Sequence, residues 1–195
     1  MAKILILFAH PLYEKSRIHK ALIKAIPEAS DITFRDLYEL YPDFNIDIKK
    51  EQLFLVQHDI IIWQHPVYWY SVPPLLKQWI DMVLEFGWAY GPGGDKLKDK
   101  YLMNVVSAGG QKVVYNSEGR NRFTLRQFFV PLEQTGTLCG MKYLAPFAVH
   151  GTHLLTNDEV REYGAQYKKL LNKLMNKEID MVLAANSECM NDLIQ

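Results

Sequence analysis

The sequence predicts an α/β fold. The expected architecture is a three-layer sandwich, with a five-stranded parallel sheet in the order 2-1-3-4-5 and helices on both faces. Three observations carry that expectation. Apolar runs of strand length alternate with stretches of helical periodicity along most of the chain. Five successive strand–helix units imply parallel strands covered on both sides. Right-handed crossovers then leave 2-1-3-4-5 as the simplest doubly wound order.

Each element has its own justification. KILILFA (3–9) reads as a buried first strand. From Ser16, the apolar residues Ile18, Ala21, Leu22, Ala25 and Ile26 fall on one helical face, with Ser16 as cap and Pro27 as stop. DITFRD (31–36) alternates like a half-exposed strand, and a helix is expected over 48–57. The third strand is placed at 58–64, ending ahead of Pro66. A helix over 73–86 buries Leu76, Trp79, Ile80 and Val83, with prolines in its first turn. FGWAYGPGGDKLKDK (86–100) is a glycine-rich loop, and YLMNVVSA (101–108) is the fourth strand. A helix over 122–139 is expected to kink at Pro131, and KYLAPFAVH (142–150) to form one fifth strand. TNDE (156–159) is a capping box opening the last helix, whose stripe is Val160, Tyr163, Tyr167, Leu170 and Leu174. This gives one domain over residues 1–177 and a loose tail over 178–195.

Composition narrows the function. The 195 residues carry 22 Lys+Arg against 22 Asp+Glu, so there is no basic excess to bind nucleic acid and no acidic surface of an electron carrier. Cys139 and Cys189 are far apart and form no CxxC, which points to a reducing, cytoplasmic setting. The opening apolar run is too short for a signal peptide, and no run approaches a membrane span.

In a sheet of this order, ligands bind beyond the carboxyl ends of the strands. Three loops are thereby selected: 10–17, 65–73 and 107–121. The first ends at a helix N-terminus where His10, Ser16 and Arg17 suit one phosphate; a plain capped helix is the alternative. GxGxxG and GxxxxGK[ST] are both missing, which disfavours a pyrophosphate cradle. The second loop gathers Pro66, Val67, Tyr68, Trp69 and Tyr70, walls for a flat ring such as an isoalloxazine, or else aromatic packing in a core or interface. In the third, Gly109 and Gly110 let the backbone approach a ligand, and their N–H groups could hold a ring edge where negative charge develops; a simple turn is the alternative.

Five segments carry a family resemblance: AHP (9–11), DLYELYPDFNIDI (36–48), WQHPVYWYSVPPLLKQWID (63–81), FGWAYGPGG (86–94) and MKYLAPFAVHG (141–151). Over residues 3–175 the chain resembles the flavodoxin-like NAD(P)H:quinone oxidoreductases. Within them it looks most like the ancillary subunits of bacterial glutathione-gated potassium-efflux antiporters. The resemblance implies a flavin, a homodimer and two-electron reduction of quinones by NADH or NADPH. It implies flavin contacts at His10, at Ser16, Arg17, Ile18 and His19, at Val67 to Tyr70, and at Ser107, Ala108, Gly109 and Gly110. Many relatives have Thr-Thr where this chain has Ser107-Ala108. The Tyr–His pair of the animal enzymes becomes Tyr115 with Asn121, which cannot carry the proton.

One phosphate site and no place for an adenine favour FMN over FAD. Tyr70, Trp69 and Tyr115 are the expected catalytic residues, in a slot that NAD(P)H and quinone occupy in turn; Trp88 and Tyr90 of a dimer partner could close it. His150 and His153 lack a third ligand, so no metal is expected. Two other functions compete: a regulatory subunit of a potassium-efflux antiporter on the cytoplasmic face of the inner membrane, and a flavodoxin-type electron carrier.

Overall fold

The computed structural model describes residues 1–194. Its sheet follows the expected order: β2 (Ile32–Asp36), β1 (Ile4–Phe8), β3 (Ile60–Pro66), β4 (Tyr101–Ala108), then β5 (Lys142–Tyr143) and β6 (Phe147–His150), both paired with β4. Every pairing is parallel. Alternation along the strands divides the apolar residues between two cores. Ile4, Ile6, Ile60, Ile62, Met103 and Val105 face α1 (Arg17–Lys24) and α7 (Asn157–Met175). Leu5, Leu7, Ile61, Trp63, Leu102 and Val106 face the other layer: α2 (Leu37–Leu40), α3 (Ile48–Gln57), α4 (Pro74–Val83), α5 (Leu125–Phe128) and α6 (Val130–Leu138). Sequence and structure coincide at 48–57 and 101–108. The caps at Ser16 and Thr156 also form, the latter as a complete capping box with Glu159.

Four expectations need correction. The third strand does not stop ahead of Pro66 but runs through it. Gln64 O accepts from Ala9 on the β1 side, and Val67 N–H donates to Ser107 O on the β4 side. The missing N–H of Pro66 therefore lies on the β1 side, where β1 has already ended, and no ladder bond is lost.

The helix expected over 122–139 is two helices. Thr124 caps α5, Phe129 breaks the run, and Pro131 lies in the first turn of α6, where it needs no N–H.

The fifth strand is interrupted at Leu144–Pro146. Ala145 N–H leaves the sheet to bond Ala184 O, and Pro146 has no N–H to offer. The chain that fills this gap is the segment expected as a loose tail. It forms α8 (Met181–Asn186) and a short 3-10 turn (Met190–Leu193), and it buries Ala184, Met190 and Ile194. Met190 N–H donates to Pro146 O, and Asn191 Oδ1 accepts from Ala148 N–H. The segment supplies the backbone partners that the broken strand lacks.

Candidate active site

A cleft of about 510 Å3 opens at the carboxyl ends of β1, β3 and β4, where the topology switches direction. All three expected loops contribute to its lining: His10, Ser16, Arg17 and Ile18 from the first, Pro66, Val67 and Tyr68 from the second, Ser107 and Gly109 from the third. Leu12, Lys15, Thr152 and His153 complete it.

The first loop is organised around donors. His10 is buried, and its Nδ1 accepts from Leu12 N–H at 3.1 Å. Burial also lowers its pKa, so the ring is neutral with its proton on Nε2. Ser16 Oγ accepts from His19 N–H at 3.1 Å, which leaves the Ser16 hydroxyl hydrogen free. The N–H groups of Arg17 and Ile18 begin the helix and have no intrahelical acceptor. Arg17 Nη2 donates to Leu155 O at 3.1 Å and to Asn157 Oδ1 at 2.9 Å, tying this loop to the one after β6. With Lys15 beside it, this end of the cleft is cationic. Among the described residues lining the cleft, none is a carboxylate.

The second loop turns sharply. Tyr68 and Ser71 exchange N–H···O bonds of 3.2 and 3.0 Å around Trp69 and Tyr70, whose φ angles are +49° and +63°. Two adjacent positive φ values are the pattern of a type I′ turn, which ordinarily takes Asn-Gly. Bulky side chains there carry strain of about 1–2 kcal/mol each. Trp69 is 93% exposed and Tyr70 stacks on Phe128 at 4.6 Å between centroids, so both lie outside the cleft lining.

In the third loop, Gly109 runs close under His153: a Cβ there would meet Nε2 at 3.4 Å. A Cβ on Gly110 would meet the Tyr115 hydroxyl at 3.2 Å. Tyr115 packs behind the loop, 5.3 Å from the His150 ring and edge-on to Phe128, and it lines a separate cavity of about 180 Å3. Ala108 is buried. The His19 ring is also buried and turned to Ser107 Oγ at 3.0 Å, so it does not line the cleft. Trp88 and Tyr90, expected to close a partner's slot, pack partly buried against the core of their own chain.

His65 lies beneath the cleft with its pKa pushed down to about 4 by burial. Its Nδ1 faces Pro66 O at 2.9 Å, its Nε2 faces Asn104 Nδ2 at 2.9 Å, and Asn104 Oδ1 accepts from the Tyr143 hydroxyl at 2.7 Å. The carbonyl fixes the proton on Nδ1. Thr152 was not singled out in the sequence, and His153 was weighed only as a metal ligand, not as part of the cleft. The residues after β6, Gly151 to His153, leave from the same carboxyl edge of the sheet as the three selected loops.

A model of the family described as flavodoxin-like fold matches residues 2–171. The chain belongs to this family. It is 44% identical over 174 residues to the glutathione-regulated potassium-efflux system ancillary protein KefF of Salmonella newport (strain SL254), covering 86% of this chain and 94% of that protein. Among solved structures it is similar to general stress protein 14 of Treponema denticola in complex with FMN: 37% identity, TM-score 0.84, covering 88% of this chain and 99% of that one. It is also similar to an NADPH-quinone reductase from P. pentosaceus: 32% identity, TM-score 0.78, covering 86% and 96%.

Proposed function

We propose that this flavodoxin-like protein is an FMN-dependent NAD(P)H:quinone oxidoreductase with its cofactor in the cleft. One observation carries the reading. The side chains fixed at the polar end are donors or cations, and no carboxylate opposes them among the described lining residues. Such a surface fits a ligand that is anionic at one end and rich in acceptors along an edge, as FMN is. Ser16 and the main chain of Arg17 and Ile18 would hold the phosphate, with the His19 N–H already given to Ser16 Oγ. His10, Pro66, Val67 and Tyr68 would flank the ring, and Ser107, Ala108, Gly109 and Gly110 would meet its edge. The cleft volume is within the range of small-molecule sites, about 300–1,000 Å3. A single helix N-terminus suits one phosphate and so favours FMN over FAD. The FMN in the Treponema denticola relative and the activity named for the P. pentosaceus relative support the reading.

When bound, FMN would supply two-electron chemistry, taking hydride from NADH or NADPH and passing it to a quinone. The protein binds, orients and shields. The strained turn holds Trp69 and Tyr70 at the mouth, where they would flank an incoming ring. Tyr115 buttresses Gly110 from behind. One slot serves both substrates, so the cycle is ping-pong. Purified protein should be yellow, bleach with NADPH under anaerobic conditions, and recover its colour with quinone. Initial-rate lines at varied quinone should be parallel. Intersecting lines would end the shared slot, and a colourless preparation that takes up neither flavin would end the whole reading.

A second copy would cover the apolar side chains exposed on the loops at this end, Leu12, Trp69, Phe123 and Leu154, giving a homodimer. Sedimentation equilibrium tests it, and a monomer at micromolar concentration would refute it. The KefF likeness also supports a regulatory reading, with the protein docked on a potassium-efflux antiporter at the cytoplasmic face of the membrane. Among the described residues no helix is long and apolar enough to cross a membrane, so the attachment would be peripheral. If Tyr70→Ala lowers quinone reduction but spares antiporter activation, the two roles are separable.

A further inference from the structure

Ser107 lines the cleft, and behind its hydroxyl runs a chain of buried polar groups. Tyr167 on α7 donates to Gln64 Oε1 at 2.9 Å; Gln64 Nε2 lies 3.4 Å from His19 Nδ1; His19 Nε2 lies 3.0 Å from Ser107 Oγ. Tyr167, Gln64 and His19 are 0% exposed and Ser107 only 9%, so water does not compete for these bonds.

Direction follows from the donor inventory. An amide whose oxygen accepts from Tyr167 turns its NH2 group the other way, toward His19. Only an unprotonated ring nitrogen can face that NH2, so Nδ1 is bare and the proton of the neutral ring is on Nε2. Nε2–H then donates to Ser107 Oγ. The Ser107 hydrogen must turn away from His19, and the open direction is the cleft.

We propose that His19 is a positioning residue: held as the neutral Nε2–H tautomer by Gln64 and Tyr167, it makes the Ser107 hydroxyl a fixed donor to the acceptor edge of the bound flavin. This rests on the flavin reading above and deepens it. A hydroxyl free to rotate would lose orientational freedom on binding, whereas one already aimed does not. Burial keeps His19 neutral by pushing its pKa well below the usual value. The titratable rings facing it, His10 at 5.3 Å between centroids and His65, push the same way through charge, while a hydrogen bond to the His65 main chain opposes them more weakly.

A mutant cycle on FMN affinity, read by quenching of flavin fluorescence, tests the assignment. Ser107→Ala and His19→Leu should each weaken binding about five- to tenfold, and the double variant no more than either alone. His19→Gln keeps an N–H donor and should remain within about twofold of the parent protein. If the two losses multiply, or if His19→Gln binds as poorly as His19→Leu, His19 is only a packing residue and the proposal falls. Should His19→Leu fail to fold, imidazole 15N NMR on the parent protein decides. Nδ1 should be bare and Nε2 protonated in the flavin-free state, and a proton on Nδ1 overturns the proposal. That measurement needs no flavin, so protein that binds none would sink the functional reading while the tautomer is still settled.

Discussion

Two buried polar regions, one at the β2 edge and one beneath the cleft, are built on opposite principles. At the β2 edge, Glu51 is fully buried and carries its charge among three donors. It pairs with Arg35, accepts from the Tyr41 hydroxyl at 2.6 Å, and accepts from Trp79 Nε1 at 3.0 Å. Arg35 in turn lies over the Phe54 ring at 4.0 Å. The cluster ties β2, α3 and α4 together through an ion pair and does not line the cleft. Under the cleft the buried groups are neutral: His19, His65, Gln64 and Asn104, each fixed in one orientation by its neighbours. A charged cluster holds elements together, whereas a neutral, directed one can aim a donor without imposing a net charge on the ligand. The β2 edge therefore acts as a clamp, and the cleft side accepts strain and desolvation to hold its geometry.

Breaking the clamp should produce the largest effect. Glu51→Ala leaves the Arg35 guanidinium buried without its carboxylate and should cost about 3–5 kcal/mol in urea unfolding. The folded fraction should bind FMN as the parent does. Unchanged stability would remove the contrast between the two regions.

Acid should act mainly at the carboxyl ends of β3 and β6. His65 and His150 have folded pKa values of about 4, both set first by burial, against about 6.5 unfolded. Because the folded pKa is depressed, the unfolded chain takes up protons first. Stability is full above about pH 6.5 and is lost as the pH falls toward about 4. His65 alone should cost on the order of 2 kcal/mol by about pH 5. A urea midpoint that stays flat from about pH 7 to about pH 5 would show that these imidazoles charge without cost.

Removing one hydroxyl from a neutral chain should cost less. Tyr143→Phe strands the buried Asn104 Oδ1 and Tyr167→Phe strands Gln64 Oε1, each at about 1–2 kcal/mol. Only the second chain ends on a hydroxyl in the cleft, so Tyr167→Phe should also weaken FMN a few-fold while Tyr143→Phe should not. Equal effects on FMN would blur the distinction between bracing and aiming.

The sequence revealed most of this architecture where local signals agree with the tertiary fold. Ser16 and Thr156 cap because their side chains reach their own helices, and 48–57 and 101–108 are legible because periodicity and burial coincide. It was silent where the deciding partner is distant. Pro66 continues a strand because β1 ends beside it. The fifth strand can break at Pro146 because the segment forming α8 and the 3-10 turn folds back to meet it, and the burial of Ala184, Met190 and Ile194 follows no period. At the site, residue types and loops were legible. Which ring faces the cleft was not: His19 and Tyr115 pack behind it and Trp69 stands outside, while Thr152 and His153 arrive from a loop no local motif marked as part of the cleft.

The strained turn gives the finest comparison. The charged edge contains no comparable conflict between residue and backbone in its ion pair, whereas Trp69 holds φ at +49° and buries almost none of its ring. Stability has no use for an exposed indole in a left-handed position, where glycine carries no steric penalty. Trp69→Gly should therefore stabilise the protein by up to about 1 kcal/mol, since little packing is lost and the strain is released. If the ring is kept to face a substrate or a second copy, the same variant should lower kcat/KM for quinone several-fold. A gain in stability with unchanged turnover would mean the strain serves nothing at the cleft. A loss of stability would mean the exposed ring has contacts that its 93% exposure denies.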